Sequence, residues 1–321
     1  MENLAGGEEA GGTKYRFPSG WQVHKDAQLE ARESNSVIFV QGNFMTQMSL
    51  FQMEILLAAG LLTGFSSGLL GVGGAFVMVP VQFWMLKWMG VDPTIAIRVS
   101  FGTSLLVILP TAISSAITHN QKGAVHWKAG VILGLTGACV AFLGAYVASR
   151  MSGSYLTTIF GGLGIILSMR MFLTRTKDVS RSSTGSMVGL IICGGMFGFV
   201  SGIIGVGGGG LMIPVMIHFL GFGMHEAVGT SAVFMTFTGL GGSASYLVNG
   251  LGVEGLPAYS TGYLNWLQFA LLGVSSIPMA VVGAKAAHLI SSNGLRIVFA
   301  MVLLIVGLKM IGVFSWLGSP I

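Results

Sequence analysis

Two glycine clusters at matching positions carry residue types that suit the binding of an anion. Residues 64–80 read GFSSGLLGVGGAFVMVP and residues 198–214 read GFVSGIIGVGGGGLMIP, an ungapped match at an offset of 134 with ten identities. The glycines concerned are Gly71, Gly73, Gly74, Gly205, Gly207 and Gly208. Glycine lets backbone N–H groups approach a ligand closely, and a helix that begins just afterwards adds a favourable dipole. Two such helix starts from opposite sides would form one anion cradle, the alternative being close helix packing through small residues.

Hydroxyl side chains accompany both clusters and would donate hydrogen bonds to an oxyanion. They are Ser67 and Ser201 before the glycines, and Thr103, Ser104, Thr230 and Ser231 near the starts of the following spans. Such residues also bond to their own helix or pack small faces. Arg98 is expected either to attract and orient an anion or to snorkel to the membrane boundary. His119, after an apolar span, is a candidate for proton handling or substrate contact.

The composition places these residues in a polytopic membrane protein. Hydrophobic residues make up 53% of the chain and charged residues only 8%, with apolar runs near membrane-spanning length throughout residues 53–316. Six of the 11 acidic residues lie in the first 33 positions, which leaves the embedded part basic. That surplus fits an anionic substrate and also the basic cytoplasmic loops of most membrane proteins. Cys139 and Cys193 show no CxxC or Cys/His spacing, so neither redox chemistry nor a metal is indicated.

The chain is predicted to divide into a polar tail and two membrane repeats. The predicted ranges are 1–50 for the tail, 51–174 for the first repeat, 175–186 for a cytoplasmic linker and 187–316 for the second repeat. The tail lacks the apolar region and cleavage site of a secretory signal. It is expected to be soluble, unless Met45, Met48 or Met53 is the true start.

Each repeat is predicted to contain a broken helical hairpin followed by three transmembrane helices. A crossing needs about 20 apolar residues at a rise of about 1.5 Å each, so residues 55–70 and 75–89 are each too short to cross. They are predicted to dip into the membrane and return. The other predicted segments are spans near 99–118, 129–149 and 154–173, a second broken pair at 187–221, and spans near 229–248, 265–284 and 295–315.

Charges in the loops predict the orientation of the two repeats. The central loop carries Arg170, Arg175, Lys177 and Arg181 against Asp178, so the positive-inside rule places it in the cytoplasm. If both hairpins return to their own side, the fold is all-α with two repeats in inverted topology. If each broken pair is one crossing, the repeats are parallel. Broken helices in corresponding positions of two halves point to a binding site near the bilayer midplane.

Three ordered motifs resemble the TauE/SafE sulfite exporter family of membrane permeases. They are the glycine cluster ending in Pro80, the Gly102-Thr103-Ser104 segment, and His119 followed by Gly123, Val125 and Trp127. The second half repeats the first two motifs, but Tyr246 replaces His119 and an insertion with Glu254 precedes Trp266. The resemblance covers residues 52–316. It implies a permease for sulfite, sulfonates and related sulfur-containing anions.

These observations together predict a secondary transporter of small sulfur-containing anions (sulfite, sulfonate or sulfoacetate-like) in the cell membrane. A passive anion channel that uses the same site is the alternative. An embedded enzyme is disfavoured because the GxGxxG match at 205–210 lacks a preceding strand and His225-Glu226 lacks the second histidine of HExxH. No cofactor, metal or nucleic acid is expected. The expected partners are a small anion, the lipid bilayer and a coupling ion, either a proton or sodium.

Overall fold

The computed structural model describes residues 49–71, 73–173, 186–287 and 293–313, which are almost entirely helical. The helices within these residues are α1 (Leu50–Leu70), α2 (Ala75–Trp88), α3 (Pro93–Asn120), α4 (Trp127–Ala148), α5 (Gly153–Leu173), α6 (Met187–Ile204), α7 (Gly209–His218), α8 (Met224–Asn249), α9 (Trp266–Ala286) and α10 (Asn293–Ile311). Two short strands, β1 (Ser260–Thr261) and β2 (Leu264–Asn265), pair antiparallel between α8 and α9. The predicted all-α class is confirmed, with this small hairpin inside the predicted insertion. Most of the predicted tail and linker lie outside the described residues.

Helix lengths correct one part of the sequence prediction. α1 has 21 residues because Ser49 and Gln52 form a capping box that starts the helix at Leu50. The prediction that both arms of the first broken pair are too short to cross was therefore wrong for α1. Six described helices are long and apolar enough to span a membrane, namely α1, α3, α4, α5, α6 and α9. α2, with 14 residues, and α7, with 10, are short as predicted.

Each glycine cluster ends one helix and turns the chain back along it. Gly71 and Gly205 adopt left-handed backbone conformations, with φ of 64° and 67°, which stops α1 and α6. A Cβ atom on Gly74 would overlap the backbone of Thr63, two turns before the end of α1. In the second half, a Cβ atom on Gly208 would lie 3.1 Å from the carbonyl oxygen of Phe197 in α6. The short helices α2 and α7 therefore begin beside the long helices that precede them, as a hairpin requires.

Glycine stripes allow the long arm of each hairpin to pack closely on the fourth helix of the opposite half. In α1 the stripe lies against α9, where a Cβ atom on Gly64 would overlap the backbone of Ser276 and one on Gly68 that of Ala280. In α6 the corresponding stripe lies against α4. The two stripes are Gly60, Gly64 and Gly68, and Gly194, Gly198 and Gly202, at the same offset of 134 as the breaks. Small residues at such spacing let helix backbones approach closely. This close packing stabilises helix pairs in lipid, where the hydrophobic effect does not drive helices together.

Corresponding helices of the two halves run antiparallel. In the α3/α8 pair, Gly102 lies against Tyr246 near one end, while His119 lies against Gly229 near the other. In the α5/α10 pair, the Ser168 hydroxyl donates to the carbonyl oxygen of Ala300, whereas the earlier Gly161 lies against the later Gly307. An antiparallel run of equivalent helices is the relation that inverted repeats require.

The α4/α6 contact yields a test of this packing with two glycines of one helix. A Cβ atom on Gly198 would overlap the backbone of Gly137, whereas one on Gly195 would lie 3.7 Å from the Val140 side chain, an ordinary contact. We expect Gly198→Val to destabilise the protein by about 1–3 kcal/mol because it forces α4 and α6 apart. Thermal unfolding of purified protein measures this, with Gly195→Val as the matched control. Equal midpoints for the two variants would contradict the packing.

Candidate functional site

The two glycine breaks meet inside the protein. A Cβ atom on Gly73 would lie 2.9 Å from the carbonyl oxygen of Val206, and one on Gly209 would overlap the carbonyl oxygen of Gly71. All six predicted glycines are buried. The breaks predicted from matching sequence positions are therefore in direct contact rather than on separate faces. A side chain in this contact would separate the two halves.

Two apolar side chains occupy the middle of this contact. Ile108 in α3 and Met235 in α8 are fully buried. They occupy equivalent positions in the two halves, because 127 residues separate them, as they separate Thr103 from Thr230. A Cβ atom on Gly73 would lie 2.9 Å from the Met235 sulfur, and one on Gly207 would lie 3.1 Å from the Ile108 side chain. The two side chains close the space between the breaks in this conformation. The sequence prediction had not included either of them.

The helices that begin at the breaks have buried N-termini without side-chain caps. Gly74 is the N-cap of α2 and Gly208 that of α7, both have left-handed φ angles, and neither helix start receives a side-chain hydrogen bond. α4, which begins after His126, also lacks a side-chain cap, whereas Ser49, Asp92 and Ser186 cap their helices with side-chain oxygens. The first N–H groups of a helix have no intrahelical partner and carry partial positive charge. Because Gly74 and Gly208 are buried, these groups lie inside the protein at both breaks.

Ser201 adds an unused hydroxyl at the start of α7. Its side chain is fully buried, and its Oγ has no hydrogen-bond partner. A Cβ atom on Gly208 would lie 3.2 Å from the Ser201 Cβ, so this hydroxyl lies next to the N-cap of α7. The equivalent Ser67 is also buried, in the last turn of α1. A buried unpaired hydroxyl is costly unless a ligand or water satisfies it.

The paired threonines hold the two halves together. The Thr103 hydroxyl accepts a hydrogen bond from the backbone N–H of Asn265, the N-cap of α9, at 2.9 Å. The Thr230 hydroxyl accepts one from the backbone N–H of His126, the N-cap of α4, at 3.0 Å. Each threonine thus satisfies the start of the fourth helix of the opposite half. Their matching positions, interpreted from sequence as anion binding, have this structural cause.

The two predicted serines beside those threonines differ in their partners. The Ser104 hydroxyl accepts a hydrogen bond from the Gln82 side-chain amide at 3.2 Å. The Ser231 hydroxyl donates to the carbonyl oxygen of Val228 at 2.8 Å and, at 3.5 Å, to that of Gly71 in the first break. Ser231 therefore lies at the break, whereas Ser104 lies against α2.

His119 and Tyr246 occupy corresponding positions in the two halves, and each hydrogen-bonds to a backbone carbonyl oxygen near the end of the helix that precedes a break. The ring Nε2 of His119 lies 3.0 Å from the carbonyl oxygen of Gly68, so Nε2 is the donor. The Tyr246 hydroxyl donates to the carbonyl oxygen of Gly202, which corresponds to Gly68, at 3.2 Å. Both carbonyl groups belong to last helical turns, which lack intrahelical partners. His119 thus caps the end of α1 from inside the protein.

Arg98 lies at the entrance of α3 and is engaged by protein groups. Its Nη1 donates to the Tyr263 hydroxyl at 3.0 Å and its Nη2 to the carbonyl oxygen of Met151 at 2.8 Å, and its guanidinium lies over the Tyr263 ring. The Nε atom is buried without a partner. Among the described residues no Lys, Arg, Asp or Glu side chain is fully buried. The described hydrogen bonds of Arg98 thus go to Tyr263 and Met151 and not to the glycine clusters.

Comparison with known proteins identifies the family. The profile of the family described as sulfite exporter TauE/SafE matches residues 56–310. The chain belongs to this family. The TauE/SafE chain is 30% identical over 256 residues to a probable membrane transporter protein of Haemophilus influenzae, a match that covers 79% of this chain and 96% of the relative.

Two more distant relatives extend the comparison. A probable membrane transporter protein of Methanocaldococcus jannaschii is 27% identical over 82% of this chain and 96% of its own length. A probable membrane transporter protein of Bacillus subtilis is 26% identical over 81% of this chain and 98% of its own length. No solved structure is significantly similar. The predicted family and a multi-pass membrane transporter are therefore shown.

Three buried polar groups of this TauE/SafE chain escaped the sequence analysis. The side-chain oxygens of Gln82, Ser115 and Gln268 are buried without hydrogen-bond partners. Gln82 and Gln268 are single polar residues in apolar runs, whereas Ser115 follows Ser114 in a helix that also carries Thr111 and Thr118. None belongs to the duplicated motif.

The role assigned to Thr103 predicts a loss of stability that depends on the hydroxyl. Thr103→Val would leave the Asn265 N–H buried and unpaired, which costs about 1–3 kcal/mol. We expect a lower unfolding midpoint for Thr103→Val and a nearly unchanged one for Thr103→Ser, which keeps the oxygen. Thermal unfolding of the purified TauE/SafE protein compares the two variants. A Thr103→Val protein as stable as the serine variant would refute the assignment.

Proposed function

We propose that this TauE/SafE protein is a secondary transporter of small sulfur-containing anions, bound between the first turns of α2 and α7. The proposal rests on the contact between the two breaks, each of which begins a short helix whose buried N-cap glycine receives no side-chain hydrogen bond. The unpaired Ser201 hydroxyl beside one of them supplies a further donor. The family description, sulfite exporter, and the relatives named as membrane transporters support the same function.

The charge of the site favours a monoanion. Each helix N-terminus is equivalent to about half a positive charge, so two together offset about one negative charge. No fully buried Lys or Arg in the described residues adds to this. The free energy needed to remove an ion from water rises steeply with the number of charges it carries. The two helix N-termini would therefore compensate only part of the desolvation cost of a dianion. Sulfonates, as monoanions, therefore fit better than sulfate.

Ile108 and Met235 give the site an apolar side. Both are fully buried and lie against the glycines of both breaks. A sulfonate presents oxygens at one end and a short organic group at the other. We assign the oxygens to the helix N-termini and the organic group to these two side chains.

The arrangement of the halves supports an alternating-access cycle. We take residues 51–174 and 187–316 as inverted repeats joined by the linker at 175–186, with the first hairpin entering from outside and the second from the cytoplasm. The antiparallel α3/α8 and α5/α10 pairs agree with this orientation. Rocking of one half against the other would then open the closed space at Ile108 and Met235 to one side at a time.

The unused hydroxyl yields a test that separates binding from folding. Ser201→Ala removes a group without a protein partner, so we expect unchanged thermal stability. A hydrogen bond to a charged ligand contributes about 1.5–3 kcal/mol, so the affinity for methanesulfonate and sulfite should fall about tenfold or more. Calorimetry and uptake into proteoliposomes measure both, with sulfate expected to bind more weakly than methanesulfonate.

Ser243→Ala is the matched control, because its hydroxyl bonds back to the carbonyl oxygen of Leu240 in its own helix, away from the breaks. Wild-type affinity in Ser201→Ala would contradict the proposed site. Uptake should saturate with substrate concentration. Flux without saturation together with single-channel currents would instead establish the passive anion channel.

A further inference from the structure

Two buried glutamine side chains present oxygens that no protein group satisfies. Gln82 in α2 is 0% exposed and Gln268 in α9 is 1% exposed, yet Oε1 of each lacks a hydrogen-bond partner. A buried amide oxygen without a partner costs roughly 1–3 kcal/mol in proteins. In native structures such atoms indicate a bound water or ion that the protein contacts do not include.

Hydrogen bonds to α3 place the two glutamines at the same level. The Gln82 amide donates to the Ser104 hydroxyl at 3.2 Å. The backbone N–H of Asn265 donates to the neighbouring Thr103, and Asn265 in turn accepts from the backbone N–H of Gln268 at 2.9 Å. Farther along, Thr111 and Ser276 share a hydrogen bond, so α3 and α9 run in the same direction. This register sets Gln268 beside the Ser104 turn of α3.

Each glutamine lies one helical turn from members of one small apolar cluster formed by α1, α2, α3 and α9. Met78 and Met85 lie about one turn on either side of Gln82, on the same face of α2, and Leu272 lies one turn after Gln268. These three side chains pack with Leu56, Ala59 and Val107 in a single buried cluster. The register and these neighbours thus place both amide groups at the same level, beside this cluster and the Ser104 turn of α3.

The opposite half shows that packing alone does not require these amides. The position equivalent to Gln82 is Met216, at the offset of 134 that relates the breaks. The position equivalent to Gln268 is Ala129, because α4 begins at Trp127 and α9 at Trp266, an offset of 139. The same architecture thus forms with apolar residues at both places. The amides belong to one half only, which indicates a ligand rather than a structural need.

The chemistry of the unsatisfied atoms selects a cation. An amide oxygen only accepts hydrogen bonds or binds metal ions, and the bond from Gln82 to Ser104 directs its nitrogen away and leaves its oxygen available. Oxygen ligands suit hard cations, and a ligand set without a carboxylate favours a single positive charge. We propose that the amide oxygens of Gln82 and Gln268 bind a small monovalent cation, with sodium as the probe.

The test uses the purified full-length protein without any sulfur-containing anion, so that it is independent of the proposed cargo. Thermal unfolding is measured in sodium, potassium and choline chloride at constant ionic strength. Sodium should raise the midpoint in a saturable manner, since a ligand bound only to the folded state stabilises it. The double variant Gln82→Met with Gln268→Ala, which copies the other half, should lose this sodium-specific rise.

Gln121→Met is the matched control, because it makes the same exchange at an exposed position after α3 and should keep the full response. If the double variant does not fold, Gln268→Ala alone and calorimetric titration of the unaltered protein with sodium take its place. Equal midpoints of the unaltered protein in all three chlorides would overturn the proposal and leave buried water as the ligand. A double variant that retains the sodium response would overturn it too.

Discussion

The need to satisfy backbone polar groups at membrane depth is the constraint on which the structure depends. Both halves interrupt a helix inside the protein, and each interruption frees N–H and carbonyl groups where water is scarce. The carbonyl ends receive donors from the third helices, through His119 at Gly68 and Tyr246 at Gly202. The N-terminal ends, at Gly74 and Gly208, receive no side-chain cap. Side chains of the protein therefore satisfy the carbonyl ends, and the N-terminal ends are where we propose that the anion binds.

The same constraint explains how the halves are joined. Thr103 and Thr230 each accept from the N-cap residue of a helix in the other half, and glycine stripes bring α1 against α9 and α6 against α4. Such contacts are needed because lipid is as apolar as the helix surfaces, so the hydrophobic effect does not drive the two halves together. The antiparallel third helices, α3 and α8, place Ile108 and Met235 against the glycines of both breaks.

Most of the features that could be predicted from the sequence follow from the internal repeat. The offset of 134 located both breaks and both uncapped helix starts, because glycine clusters in apolar runs are rare and were duplicated. The start of α1 was missed although Ser49 and Gln52 have capping-box spacing. Thr103 and Thr230 were assigned to the ligand because a sequence shows that positions match but not which partners they meet. Their partners lie in the opposite half, more than 100 residues away along the chain.

Departures from the repeat were harder to interpret. Gln82 and Gln268 stand where the other half has Met216 and Ala129, and each is a single polar residue in an apolar helix. Both lie beside the same turn of α3, and this placement depends on contacts between helices that are far apart in the sequence. The proposed anion site thus rests on duplicated features, whereas the unduplicated glutamines distinguish one half from the other. If both proposals hold, a cargo site between the breaks and an ion site in one half would allow the two ligands to be coupled.

The most direct test of the central claim is the position of a heavy-atom anion. Anomalous diffraction from crystals of this protein grown with selenite, an analogue of sulfite, would locate the bound anion without reference to any variant. We expect a selenium peak within hydrogen-bonding distance of the first turns of α2 and α7 and near the Ser201 hydroxyl. Selenium found only at Lys and Arg side chains on the surface, with the two breaks unliganded at saturating selenite, would contradict it.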